Sequence, residues 1–226
     1  MAPSKAGSDA YNYTVAPHLE AKFDIPMDKF EAAHPEIDRF IVGGFVFTNR
    51  SLDDLPFSSS ATAHETTSSN TASGLLPLVL IMQRAATDSN GGCFDFPGGS
   101  AEPTDATLLD GVAREVLEET GFHVSHFREL VRVDNWEKVY PEEGLVRAAK
   151  FSFLVDVHEA EKPGWEDSVE LAADEHTFWA WATREEIEKS VQLWRDGKKD
   201  DARYTFIGVQ GETAAEAWKV YSDLTT

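Results

Sequence analysis

Three glutamates, Glu115, Glu118 and Glu119, crowd into REVLEETG, residues 114–121. At about 100° per residue they share one arc of a helix, roughly 100° wide. Like charges at that spacing cost about 0.2–0.5 kcal/mol per pair. Glu118 and Glu119 also fall in the last turn, where the helix dipole prefers cations. Two local rules broken within five residues mark a candidate functional site. A divalent cation among the carboxylates would remove both penalties, and oxygen-only ligands suit Mg2+ or Mn2+ rather than zinc. The competing reading is a solvated acidic face on a chain with 40 acidic residues, with Arg114 pairing Asp110 or Glu118, four residues to either side.

The elements around this stretch follow from pattern. Leu108, Leu109, Val112, Ala113 and Val116 recur at helical spacing and predict a helix over about 105–119, with Gly121 where a C-terminal glycine belongs. Upstream, 94–96 predicts a brief strand stopped by Pro97-Gly98-Gly99. The β-forming run 40–48 and the apolar run 75–84 predict strands, as do 127–135, 148–158 and 177–182. Thr183 and Thr213, each followed three residues later by a glutamate, predict two capped helices. A short helix is expected around 27–33 within an N-terminal arm, residues 1–38, that packs on a main domain of 39–226. Between two strands lies a polar stretch at about 50–74. Ten of the sixteen residues 58–73 are Ser or Thr, which predicts a flexible insertion. Strands interleaved with helices give a sheet covered by helices.

Bulk composition narrows the partners. With 226 residues and 42% hydrophobic content, the chain can bury a sizeable core. A net charge of −20 disfavours nucleic acid polymers and anionic membranes. Cys93 is the single cysteine, so no intrachain disulfide forms, and a reducing, cytoplasmic setting is expected. No run approaches the roughly 20 apolar residues of a membrane span. Oligomeric state does not follow from these features.

Together, Pro97-Gly98-Gly99, the loop after it and REVLEETGF resemble the signature of the Nudix hydrolase family, G-x5-E-x7-R-E-U-x-E-E-x-G-U, where U is a bulky apolar residue. Every fixed position from Arg114 to Phe122 matches. The first half departs: Asp105 stands six after Gly99 where the family has glutamate, and eight residues rather than seven separate it from Arg114. Asp105 either replaces that glutamate or caps the helix start, and Glu102 is a second carboxylate candidate in the loop.

The resemblance implies an α/β fold, a Nudix-type α/β/α sandwich with a mixed sheet between helices. It implies Mg2+- or Mn2+-dependent hydrolysis of a phosphoanhydride in a small diphosphate compound, a nucleoside diphosphate derivative being favoured and a prenyl diphosphate possible. Glu115, Glu118 and Glu119 match the family's metal ligands, Arg114 its carboxylate-orienting arginine, and Gly98 or Gly99 the source of a backbone carbonyl. The general base is expected to be Glu119 or Glu115, with Glu175, then Asp174 and Glu170, as candidates from a later loop. Arg84, Phe96 and Tyr140 are candidate substrate contacts, with Phe94 and Trp136 as further aromatic candidates. The seven histidines show no ligand spacing and are expected at the surface or in the core. The alternative function is a non-catalytic Nudix-fold binding or regulatory module, supported by the altered first half of the signature.

Overall fold

A computed structural model describes residues 11–51, 75–88 and 90–225. Most of the expected Ser/Thr-rich insertion, from residue 52 to 74, lies outside the described residues. The chain opens with β1 (Thr14–Val15) and two short helices, α1 (Pro17–Phe23) and α2 (Met27–Ala33). Strands β2 (Arg39–Ser51), β3 (Leu75–Arg84) and β4 (Phe94–Asp95) follow, then helix α3 (Leu108–Thr120). A long hairpin, β5 (Val124–Tyr140) and β6 (Gly144–Val157), precedes β7 (His176–Ala182), α4 (Arg184–Arg195) and α5 (Gln210–Thr225).

The sheet is mixed, in the order β1-β5-β6-β2-β3-β4 with β7 on the other edge of β3. Strand β2 joins its two parts. Arg39 to Val46 run parallel to β6, whereas Phe47 to Ser51 pair antiparallel with β3. Alternation along each strand then feeds two cores. Phe40, Val42 and Val46 of β2 and Ala149, Phe151, Phe153 and Val155 of β6 face the helices α1, α2 and α3. Phe45 of β2, Val79 and Ile81 of β3 and Leu154 of β6 face α4 and α5 through Ile187, Ala217 and Trp218. The expected α/β/α sandwich about a mixed sheet is what forms. The residues after Tyr11 pack into the first core through Tyr13, Leu19, Phe23 and Phe30. Among the described residues no helix is long and apolar enough to cross a membrane.

Some boundaries move for identifiable reasons. The hairpin strands run past the expected ends because Glu137, Lys138 and Val139 keep pairing with β6 while exposed to solvent, where no apolar alternation is required. Helix α4 carries the expected capping box at Thr183. The box expected at Thr213 does not form. Helix α5 already starts at Gln210, and the buried Thr213 hydroxyl donates to Asp134 Oδ2 at 2.8 Å, so a tertiary acceptor replaces the local cap. Phe96 is 2% exposed, its ring parallel to Phe206 with centroids 5.8 Å apart and beside Phe45 at 4.4 Å. As a core ring it offers no face to a ligand, which corrects its assignment as a substrate contact.

Helix α3 lies on β2 where the strand has no side chain. A Cβ on Gly44 would stand 2.7 Å from Val116 Cγ2 and 3.3 Å from Val155 Cγ2. Gly44→Val should therefore force α3 away from the sheet and lower stability by about 1–3 kcal/mol. Urea unfolding checks this; an unchanged midpoint would contradict the close packing.

Candidate active site

The loop 97–99 lies along β2 in place of a neighbouring strand. Gly44 N–H donates to Pro97 O and Val42 N–H to Gly99 O, both at 2.9 Å. This approach excludes side chains. Gly98 has φ +155°, and a Cβ there would sit 2.2 Å from Val42 O. One on Gly99 would sit 2.7 Å from Glu115 Oε1.

Helix α3 then delivers the carboxylates. Thr107 is its N-cap, the hydroxyl accepting from Asp110 N–H at 3.0 Å, and Gly121 ends it in the left-handed conformation at φ +75°. Asp105 is thus not the helix cap. Its two oxygens accept from Arg114 Nε at 3.0 Å and Nη2 at 3.2 Å, and Oδ2 also accepts from Glu102 N–H at 2.8 Å. Gly111 in the first turn leaves room for this carboxylate, since a Cβ there would approach it to 2.8 Å. The rest of the guanidinium is also engaged. Nη1 donates to Glu115 Oε1 at 2.8 Å and Glu118 Oε2 at 3.0 Å, and Nη2 to Ser100 O at 2.9 Å. All five N–H donors of an arginine are used. The alternative pairing of Arg114 with Asp110 does not occur; Asp110 instead accepts from Tyr13.

Glu119 lies outside that grip. It is 3% exposed, and Oε2 accepts from Gly98 N–H at 2.6 Å. Burial, helped by the negative charge of Glu115, Asp95 and Glu175 and opposed by the Gly98 hydrogen bond, pushes its carboxyl up to about 9. Glu115 is displaced upward too, by burial first, with Arg114 pulling the other way. Glu118 is the exposed member of the three.

Beside Glu119 come Glu175 and His176, at the start of β7. One ligand atom from each of the three lies within 4.8 Å of the others. The end of β3 holds this pair: Ala85 N–H donates to Glu175 O at 2.7 Å, and His176 stands opposite Arg84. Arg84 therefore reaches the site's edge, paired with Asp88 and 3.9 Å from Asp95 Oδ2. Burial and the Arg84 charge hold His176 below its usual pKa. No spacing rule pointed to His176, because it sits 57 residues after Glu119 and meets it only through the β3–β7 pairing.

The remaining candidates fall elsewhere. Tyr140 lies at the hairpin end with its ring under Lys138 Nζ at 4.9 Å and the Arg39 guanidinium at 5.3 Å. Glu102 is turned to the Thr104 hydroxyl. Asp174 and Glu170 are exposed, Glu170 packing against Gly121 at the end of α3. A buried Lys150 extends the site sideways: Nζ is 3.4 Å from Asp95 Oδ1 and 3.1 Å from Gln210 Oε1. Gln210 in turn lines a cleft of about 540 Å³ with Arg132, Asp134, Trp136, Ile207 and Val209.

A family model described as NUDIX domain matches residues 69–204. No curated protein matches the chain in sequence. Similar solved structures include a MutT NUDIX hydrolase from Burkholderia pseudomallei, at 14% identity and TM-score 0.46 over 79% of this chain and 96% of that one. An Ap4A hydrolase from C. elegans is 13% identical at TM-score 0.45, over 82% and 98%. The NUDIX domain of Shewanella oneidensis NrtR, complexed with ADP ribose, is 14% identical at TM-score 0.47, over 84% and 97%.

The upward displacement of Glu119 has a definite sign. Folding raises its pKa from 4.5 to about 9, so at neutral pH the metal-free folded chain binds a proton that the unfolded chain lacks. That contribution is complete below the unfolded pKa and is lost as pH climbs toward the folded one. In EDTA, the melting temperature should fall between about pH 6 and pH 9, and Glu119→Gln should flatten the slope. Identical profiles for the two proteins in a thermal-shift series would contradict the assignment.

Proposed function

The chain belongs to the NUDIX family of pyrophosphohydrolases, and from that premise we propose that it cleaves a phosphoanhydride bond in a small diphosphate compound, using Mg2+ or Mn2+ held by Glu115, Glu118, Glu119 and the Gly98 carbonyl. The observation that carries the reading is the Arg114 fork, which draws Glu115 and Glu118 together with Asp105 beside the buried Glu119. The donor set fits a hard divalent cation: carboxylate oxygens crowd together, and two of the carboxyls are displaced upward, by burial first, with neighbouring carboxylates adding to it. Such an ion, when bound, supplies neutralisation of phosphate oxygens and a more acidic water.

The protein's own residues do the rest. Arg114 is a positioning residue, every donor already spent on neighbours. Gly98 N–H fixes Glu119 through Oε2. Glu115 is anchored through Oε1 alone. Its raised basicity suits it to accept the proton of the attacking water, with Glu119 and then Glu175 as the other acceptors in reach. A binding module without catalysis drew its support from the altered first half of the signature. Asp105 grips Arg114 all the same, so that support is gone.

A nucleoside diphosphate derivative is the favoured substrate class. The cleft beside Lys150 has a size typical of small-molecule sites. Trp136, 40% exposed on its wall, offers a flat face to a base, while Arg132, Asp134 and Gln210 supply polar edges. A prenyl chain would make no use of those polar edges. The excess negative charge argues against a nucleic acid polymer, and the lone Cys93 suits a cytoplasmic setting.

Phosphate or monophosphate release from a panel of nucleoside diphosphate derivatives and prenyl diphosphates tests the reaction. Turnover should require the metal and fall by about 10²-fold or more in Glu118→Gln; metal-independent turnover, or none on any compound, would overturn the reading. On the base-bearing substrates, Trp136→Ala should raise KM about tenfold, the worth of one stacked base, with a much smaller change in kcat. A better kcat/KM on prenyl diphosphates would reverse the substrate assignment.

A further inference from the structure

We propose that Glu119, Glu175 and His176 form a mixed oxygen–nitrogen cation centre that gives this chain a preference for Mn2+ over Mg2+. The inference rests on the hydrolase reading and adds to it a nitrogen ligand that the carboxylate helix does not provide.

The side chain that points to it is His176. It is 2% exposed, and Nδ1 has no hydrogen-bond partner. An ordinary core histidine satisfies its ring nitrogens; here Nδ1 is left unpaired, and the centre is built on the opposite nitrogen. The other nitrogen, Nε2, is directed at Glu119 Oε1 from 3.8 Å. That distance is too long for a hydrogen bond. It suits two ligands of one ion, because bonds of about 2.1 Å place a pair of ligands up to about 4.2 Å apart. Glu175 brings the third ligand atom and is itself exposed, so an ion has a route from solvent.

The framework is fixed on every side. Glu119 is braced by Gly98 N–H, and His176 N–H donates to Ala172 O at 2.8 Å. The charged groups facing the ring are Arg84, Asp95, Asp88 and Glu119. Ligand chemistry then sets the preference. Mg2+ demands oxygen donors in near-ideal octahedral geometry and gives up water reluctantly, whereas imidazole suits first-row transition ions.

The test uses the whole chain with Mn2+ as the probe, in nitrogen-free buffer. Loss of the free-ion electron paramagnetic resonance signal measures affinity, Mg2+ competition measures preference, and pulsed resonance of the bound ion reports any ligating 14N. The expected result is 14N coupling and at least about tenfold tighter binding of Mn2+ than Mg2+. In His176→Gln the coupling should disappear and the preference fall about tenfold. His176→Asn replaces it if the glutamine variant loses the wild-type circular dichroism. Bound Mn2+ without nitrogen coupling, coupling that survives in the variant, or no Mn2+ binding would each overturn the centre. Mg2+-dependent turnover without nitrogen coupling would sink this centre and leave the hydrolase. Nitrogen coupling without turnover on any diphosphate would do the reverse.

Discussion

One guanidinium holds the acidic end of α3 together. Arg114 spends its donors on Asp105, Glu115, Glu118 and Ser100 O, and so joins the loop before the helix to the helix's last two turns. Asp105 and Glu115 are largely shielded from water, and a buried carboxylate stripped of its partner costs about 3–5 kcal/mol. A lysine could not substitute, because a single ammonium cannot fork to a carboxylate on one side and bridge two more on the other. With the loop tied at 100–105, the stretch 97–99 is pressed along β2, where only glycine fits at 98 and a Cβ at 99 would press on the Glu115 carboxylate. That approach in turn places Gly98 N–H on Glu119. The site's geometry is thus a chain of constraints that begins at one side chain.

The same arrangement explains where an ion is wanted. One arginine offsets three carboxylates, Asp105, Glu115 and Glu118, while Glu119 and Glu175 remain outside its reach. Buried as well as outside that reach, Glu119 holds its proton well above the usual carboxylate range in the metal-free chain. A cation bound as proposed would compete with that proton for one oxygen cluster, coupling ion binding to proton release through Glu119. The structure stores this electrostatic stress in a helix seated firmly on Gly44, where it cannot relax by fraying.

How much of this the sequence disclosed depends on how local each feature is. The helix, its terminal glycine and its three carboxylates are set by periodicity within thirteen residues and were legible. Asp105 was ambiguous because its role depends on Arg114 folding back nine positions, a contact made only once Gly111 leaves room. Thr213 carried a capping pattern, yet it lies inside the helix, its hydroxyl taken by Asp134 and by Val209 O. Phe96 was a candidate substrate contact although strand aromatics are more often core, and the stack on Phe206, 110 residues away, decides for the core. His176 was invisible for the same reason: its neighbours are assembled by strand pairing, which leaves no local spacing to read.

That contrast between local and assembled features extends to chemistry and selectivity. The carboxylate helix and its loop lie inside the stretch matched by the family model, 69–204. The cleft has one wall there, on β5, and its other wall, Ile207 to Gln210, after the match ends. Lys150 joins the two regions, reaching Asp95 on the box side and Gln210 on the cleft side while buried between them. Substitutions at 207–209 would therefore reshape the cleft without touching a carboxylate, whereas Gln210 is the partner of Lys150. Movement of Lys150 is different, because it would leave Asp95, next to Glu119, with only the more distant Arg84 to offset it. If the cleft holds the substrate as proposed, selectivity is free to vary at the outer wall, and the cost of varying it rises with proximity to that buried ammonium.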